Sequence, residues 1–469
     1  MRYALALFVG TVAGVLAASQ PIADTDVWWH LATGHETIAR GIVRTDVFAW
    51  TVRGSPVSTD QWLGQVVMYA SWLLAGWRGV ALLRVVLVVA LIAFGAMSAM
   101  RRTTRPFAAV LATMPALLLT RAVWVDRPEL FGFAFFAALL LLLRLGRDGR
   151  ASALFASVPL IGVWANVHGS FALGVAVTLL VCAEGALRDV PRRRAYVATA
   201  LAALTITLAN PAGVSVWTAP GSHFLSPPRD IQEWGLIDVS TPLGIAYATT
   251  LALVLVAAFA GPRLEARELV VLVPVAFLSM TAVRQAPLLA VAAAPLFAER
   301  ATAILALLGP HDRATEGPRA GRVPVATKRR ETPRGEGFGR TVVLAVALGG
   351  IAVALATTPG QPDERAYPVG ALGSIPTGDG TLARYEWGGW LIWNGVPVFV
   401  DGRLTPYAGG VLDDYRRIVA AAPGWEEAIA RRHVRTLLVV PSDPVAVRAT
   451  QLGWTVRARS DEFVVIAVP

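Results

Sequence analysis

The chain has 469 residues, of which 55% are hydrophobic and 16% charged; the mean hydropathy of +0.56 and the low charge exclude an ordinary cytosolic enzyme and point to lipid as the main solvent. The net charge of +10 is almost all arginine, with Lys328 the single lysine, in bursts between apolar runs, so it signals topology and not a nucleic-acid stripe. A lone Cys182 excludes an intrachain disulfide, a cysteine-based zinc site and an iron–sulfur cluster.

Stretches long enough to cross about 30 Å of hydrocarbon fall at 3–20, 79–100, 106–121, 128–144, 151–165, 169–187, 195–209, 243–260, 267–283, 286–306 and 341–358. Segment 61–77 is apolar but begins with polar residues and carries tryptophans at both ends. Parity decides its treatment. If it lies in the interface or re-enters, the clusters Arg101/Arg102/Arg105, Arg144/Arg147/Arg150, Arg188/Arg192–Arg194, Arg263/Arg267 and the tract 309–340 all share the cytoplasmic side. The expectation is therefore a mainly α, polytopic bundle of about eleven spans, N-terminus inside and C-terminus outside.

On this reading 1–308 form the transmembrane domain, with a first outer loop at 21–78. Residues 309–340, rich in Pro, Gly and Arg and without period, form a disordered basic linker, solvated or touching anionic lipid. A last span at 341–358 leads to an extracytoplasmic α/β domain at 360–469. There, Val398-Phe-Val-Asp401, 436–440 and 463–467 read as strands, and 409–432 and 443–452 as helices. Near-total use of arginine for lysine suggests a GC-rich bacterial genome and hence the plasma (inner) membrane.

Nearly all polar residues other than the basic bursts collect on the outer side. Asp24 and Asp26 follow the first span directly and precede Trp28, Trp29 and His30. They place negative charge where a lipid phosphate would arrive, or else cap the next helix, whose face Trp28, Leu31, Ala32, His35, Ile38, Ala39 and Ile42 would lie in the membrane plane. Arg127 and Arg284 stand beside outer helix ends and suit phosphate oxygens, with headgroup snorkelling or a pair between Arg127 and Asp126 or Glu129 as the structural alternative. Asn166 and His168 sit at a sharp break between spans, where irregular backbone is tolerated if it lines a cavity. Glu233 is a second-choice carboxylate in the long loop 210–241, and Tyr385, Trp387, Trp390 and Trp393 either stack on sugar or fill a core. Asp401-Gly402-Arg403 suits a polar site or a simple turn.

Several blocks together carry a resemblance. Asp24-Thr-Asp26-Val-Trp-Trp-His-Leu-Ala-Thr-Gly34, Arg44-Thr-Asp46-Val-Phe-Ala-Trp-Thr51, Asp60-Gln-Trp62-Leu63, Arg127-Pro-Glu129, Trp164-Ala-Asn166-Val-His168-Gly169, Asn210-Pro-Ala-Gly213, Gln232-Glu233-Trp234, Arg284-Gln-Ala-Pro287, Glu386-Trp-Gly-Gly-Trp390, Asp401-Gly-Arg403 and Gly453-Trp454 resemble bacterial and archaeal membrane proteins related to the GT-C glycosyltransferases. That resemblance implies a hexosyl- or pentosyltransferase taking sugar from a polyprenyl-phosphate donor to a glycan, lipid or protein acceptor on the outer face. Carried over by motif, the catalytic role falls on Asp24 or Asp26; substrate or phosphate contacts, to donor or acceptor, are expected of His30, Arg127, Glu129, Asn166, His168, Glu233 and Arg284. A divalent metal (Mg or Mn) on Asp24, Asp26 and His168 is allowed but not diagnostic. One positioned base suffices for such a displacement, because the phosphate leaves without an acid, whereas glycoside hydrolysis needs two flanking carboxylates. A transporter or flippase, or a non-catalytic scaffold of the same fold, are the alternatives; the first predicts charges within the spans and repeated halves, and this sequence has few of the former and none of the latter.

Overall fold

The structure, a computed structural model, describes residues 2–218, 220–221, 232–308, 345, 348–403, 406–407 and 409–469. The expected linker 309–340 and the Ser226–Asp230 part of the long loop lie outside the described residues. The helices α1 (Arg2–Ala18), α2 (Val27–Arg40), α3 (Trp62–Met100), α4 (Pro106–Thr120), α5 (Glu129–Arg147), α6 (Ala151–Val167), α7 (Phe171–Arg188), α8 (Arg193–Thr205), α9 (Pro242–Phe259), α10 (Ala266–Ser279) and α11 (Ala286–Leu308) make the bundle.

Six helical segments are long and apolar enough to cross a membrane among the described residues: Trp62–Met100, Pro106–Val123, Glu129–Arg147, Phe171–Arg188, Pro242–Phe259 and Val283–Leu307. The expected spans at 3–20, 151–165 and 341–358 coincide with shorter apolar helices, Ala4–Ala18, Ala151–Val167 and Leu348–Thr357. Those at 195–209 and 267–283 are α8 and α10, of 13 and 14 residues, each followed by a 3₁₀ turn. Length and composition alone thus support fewer crossings than the eleven read from the sequence.

Helix α3 is 39 residues long, but its backbone leaves helical values at Ala75 and at Gly76 (φ 59°). Just beyond, a Cβ on Gly79 would lie 1.8 Å from the Ser71 carbonyl, whereas eight residues of straight helix rise about 12 Å. The chain therefore bends sharply, and the segment read as interfacial is set apart from the one that follows. Its Trp72 and the following Trp77 pack on Trp393 near the end of the chain.

The C-terminal residues form a four-stranded sheet in the order β1-β2-β4-β3, built from β1 (Thr381–Ala383), β2 (Thr436–Val439), β3 (Val456–Arg459) and β4 (Val464–Ala467). The pair β1/β2 is parallel, while β2/β4 and β3/β4 are antiparallel. The run Val398–Asp401, expected as a strand, is not in this sheet. Its backbone bonds to the first loop instead: Trp50 donates to the Val398 carbonyl (3.1 Å) and Val398 to the Phe48 carbonyl (3.2 Å). The expected helix 409–432 is two helices, Val411–Val419 and Trp425–Arg431, parted by a turn in which Gly424 has φ 82°.

One hydrophobic core lies within the bundle, and a second is shared between the first loop and the C-terminal sheet, where Ile22, Trp28 and Leu31 pack with Tyr367, Trp390 and Leu437. Burial of α2 consequently differs from the expected in-plane face. Its first two turns are buried on all sides, whereas His35, Ile38 and Ala39 are exposed.

Arg84 and Asp126 form an ion pair at 2.7 Å, with side chains only 2% and 1% exposed. Arg84 also donates to the carbonyls of Gln20 (2.6 Å) and Pro21 (3.2 Å), which ties the exit of α1 to the turn before α5. Removing one partner strands a buried charge, which costs about 3–5 kcal/mol. Arg84→Met is therefore expected to lower the thermal midpoint in detergent sharply, and Arg84→Met with Asp126→Leu to recover part of the loss. A single variant as stable as the parent would contradict this role for the pair.

Candidate functional site

A cavity of about 1300 Å³ opens where the starts of α2 and α5, the α6–α7 turn, the 3₁₀ turns Gln232–Trp234 and Val283–Gln285, and the loop at Gly402–Arg403 converge. Local sequence sets these positions. Pro128 precedes α5, where its missing N–H costs nothing, and Glu129 occupies the favourable acidic first turn. His168 ends α6 in extended conformation (φ −163°, ψ 140°), and Gly169 leaves room for Asp60, whose Oδ2 would lie 2.8 Å from a Cβ there.

Charge runs along the cavity as a ladder. Arg127 Nε donates to Asp24 Oδ2 (2.6 Å), and its Nη1 faces Asp26 Oδ2 (3.2 Å) and Glu233 Oε2 (3.3 Å). Glu233 Oε1 pairs with Arg284 Nη1 (3.0 Å), whose Nη2 pairs with Glu129 Oε1 (2.7 Å) and whose guanidinium lies 4.6 Å from the Trp234 ring centre. Arg127 thus forms a structural ion-pair network, but among the described residues not with Asp126 or Glu129, the pairs the sequence offered as that alternative.

The two first-loop aspartates do different work. Asp26 lines the cavity, whereas Asp24 does not; its side chain is 5% exposed and also accepts the Asp26 backbone N–H at 2.8 Å. Asp26 occupies the N-cap position of α2, yet its side chain makes no capping hydrogen bond. Burial pushes the Asp26 carboxyl up to about 7 against the pull of Arg127, with Asp24 and Glu233 adding to the rise. For Arg127 burial favours the neutral form, but Asp26, Asp24 and Glu233 outweigh it and hold the guanidinium charged.

Other expected residues separate. His30 lines the cavity, faces Gln65 Nε2 through Nδ1 (3.4 Å), and is held neutral chiefly by burial, then by Arg127. His168 also lines it, with Nδ1 2.8 Å from Ser170 Oγ. Asn166 instead accepts from the Trp62 indole (2.7 Å) and donates to the Gly162 carbonyl (2.9 Å), so it braces the α6 end and is not among the lining residues. Trp387 and Trp390 are buried core residues, and only Tyr385 of that aromatic group reaches the cavity.

No three acidic or histidine side chains converge as metal ligands among the described residues. The Arg127 guanidinium bridges Asp24 and Asp26, where a shared cation would sit, and His168 is turned to Ser170. As arranged, this donor set does not fit a divalent metal.

Arg403 is a lining residue, and one of its two carboxylate partners is foretold by no local pattern. It clasps Asp401 (Nε–Oδ1 2.8 Å) and, from the far side of the sequence, Asp46 (Nη1–Oδ2 2.6 Å). Beside it, a Cβ on Gly402 would lie 2.0 Å from Asp26 Oδ1, so only glycine lets this loop close over the carboxylate.

Below the charges the cavity turns apolar. Leu173, Ala176, Val177 and Leu180 lie on one face of α7 at helical spacing, opposite Val275, Phe277 and Leu278 of α10. Phe277 is 69% exposed and Leu180 38%, so this groove runs to the outer surface of the bundle.

The sequence matches no protein-family profile and no curated protein. Among solved structures, the oligosaccharyltransferase AglB of Archaeoglobus fulgidus, in complex with an inhibitory peptide and a dolichol-phosphate, superposes with TM-score 0.57 at 12% identity, covering 93% of this chain and 69% of that one. Its apo form gives 0.55 at 11% identity, covering 92% and 69%. ArnT from Cupriavidus metallidurans in the apo state gives 0.54 at 14% identity, covering 97% and 96%. The fold is that of the GT-C glycosyltransferases. With this fold and its apolar helices the chain is a multi-pass membrane protein.

Proposed function

We propose that this GT-C-fold protein is a membrane glycosyltransferase that moves a sugar from a polyprenyl-phosphate carrier to an acceptor on the extracytoplasmic face. The observation that carries the reading is Asp26, a cavity-facing carboxylate raised toward neutrality, set between arginines and an apolar groove that reaches the bundle surface. The groove between α7 and α10 suits an isoprenoid tail, and the arginines suit a phosphate.

In this mechanism the Asp26 carboxylate takes the proton of the acceptor hydroxyl as that oxygen attacks the anomeric carbon. The bond from that carbon to the phosphate oxygen breaks, and the polyprenyl phosphate leaves with the electron pair. Arg127 and Arg284 offset the growing charge on the phosphate. Asp24 does not touch substrate; it fixes Arg127 and the backbone of Asp26.

Purified protein assayed with defined polyprenyl-phosphate sugars tests the assignment. Asp26→Asn is expected to lower transfer by about 10²–10⁴-fold, and Asp24→Asn to lower it less, through a misplaced Arg127. Since the base is the deprotonated form, transfer should rise as pH climbs through about 7 and level off above it. Undiminished transfer by Asp26→Asn would remove the assignment.

Glu233 bridges both arginines, at 3.3 and 3.0 Å, in the position a donor phosphate would share. Glu233→Gln should therefore lower the donor KM by about three- to tenfold, the scale of one weakened competing ion pair. A raised KM would instead make Glu233 part of donor binding.

A further inference from the structure

A second cavity, of about 220 Å³, lies at the opposite end of the bundle. It is reached along α5, whose Glu129 lines the large cavity and whose Arg144 lines this one, about 22 Å further at 1.5 Å per residue. Five arginines line it, Arg101, Arg102, Arg144, Arg147 and Arg267, against the single carboxylate of Asp148.

Four of the five have carboxylate partners, one of them in the wall of the hollow itself. Arg101 pairs with Asp148 (2.9 Å), Arg102 with Glu268 and Glu299, Arg147 with Glu184 (3.1 Å) and Arg267 with Glu265 (2.8 Å). Arg144 is only partly exposed; among the described residues no carboxylate comes within ion-pair distance of it and its side chain makes no hydrogen bond, Asp148 and Glu268 acting on it only at longer range. The buried Arg147 Nε likewise lacks a hydrogen-bond partner. Arginines that merely fix orientation would extend separately to water; here they surround a hollow whose remaining wall is apolar, with Leu143, Val181 and Val271.

We infer that this hollow binds the phosphate group of a phosphate ester, with Arg144 as its principal ligand. Guanidinium forks match phosphate oxygens, and an anion there supplies the partner that Arg144 lacks. The apolar wall suits the glycerol and first methylenes of an anionic phospholipid, and a soluble phosphate compound offers the same group. This site is independent of the transferase reading.

The test uses the full chain in delipidated detergent micelles and in nanodiscs. Native mass spectrometry would count phosphatidylglycerol retained against phosphatidylcholine, and calorimetry would follow inorganic phosphate. Arg144→Gln should weaken binding by about tenfold or more, the scale of a lost charge-assisted contact. Arg144→Glu, which pairs with the neighbouring arginines and closes the hollow, should abolish binding in a protein that stays monodisperse. Arg188→Gln, on an exposed side chain outside the lining, should leave it unchanged. Phosphatidylglycerol lost with Arg144 identifies a lipid headgroup, and phosphate binding alone lost with Arg144 identifies a soluble source. Folded Arg144 variants that bind both ligands as the parent does would overturn the inference.

Discussion

The guanidinium of Arg127 is the constraint on which the rest of the site depends. Three carboxylates from two distant segments, Asp24 and Asp26 of the first loop and Glu233, converge on it. Gathering so many like charges in a sheltered place costs free energy that only a positive centre among them offsets. Arg127 is positioned by its neighbour: Asp126 is anchored to Arg84 inside the bundle, which fixes the turn and aims the next side chain outward. Burial outweighs the pull of Arg127 on Asp26 and raises its carboxyl into the neutral range, so that both its protonated and its deprotonated form are within reach there.

The C-terminal sheet belongs to the same construction. The core it shares with the first loop, together with the bonds between Phe48–Trp50 and Val398 and the Asp46–Arg403 pair made by the segment between its first two strands, makes the C-terminal region a roof over Asp26. Gly402 is where roof and carboxylate touch. Loss of that contact would open the cavity to bulk water and weaken every electrostatic interaction inside it.

Much of the rim was legible in the sequence, because polar residues at the ends of apolar runs have few other places to go. Asp26, Arg127, Glu129, His168, Glu233 and Arg284 all line one cavity. Their pairing was not legible. Neighbours in sequence were the natural partners for Arg127, but Asp126 turns inward to Arg84 and Glu129 along the rim to Arg284. Asn166 is drawn away by Trp62, a residue about a hundred positions earlier, and no local pattern encodes that contact. The run at 398–401 has the composition of a sheet strand but stands outside the sheet for a related reason: the first loop, not the sheet, supplies its backbone partners. Helix α2 is buried all round at its start because it is pressed between α3 and the helix Gly388–Trp393, which periodicity within α2 does not register.

The central claim is that a lipid-borne phosphate meets Asp26 by way of the groove between α7 and α10. Photocrosslinking with a polyprenyl phosphate carrying a diazirine in its first isoprene units, followed by peptide mapping, tests it most directly. The account predicts labels on Leu173–Leu180 and around Phe277 and Leu278, lost on competition with unlabelled polyprenyl phosphate. Labels spread over the outer faces of α8 and α9, with none in the groove, would contradict it.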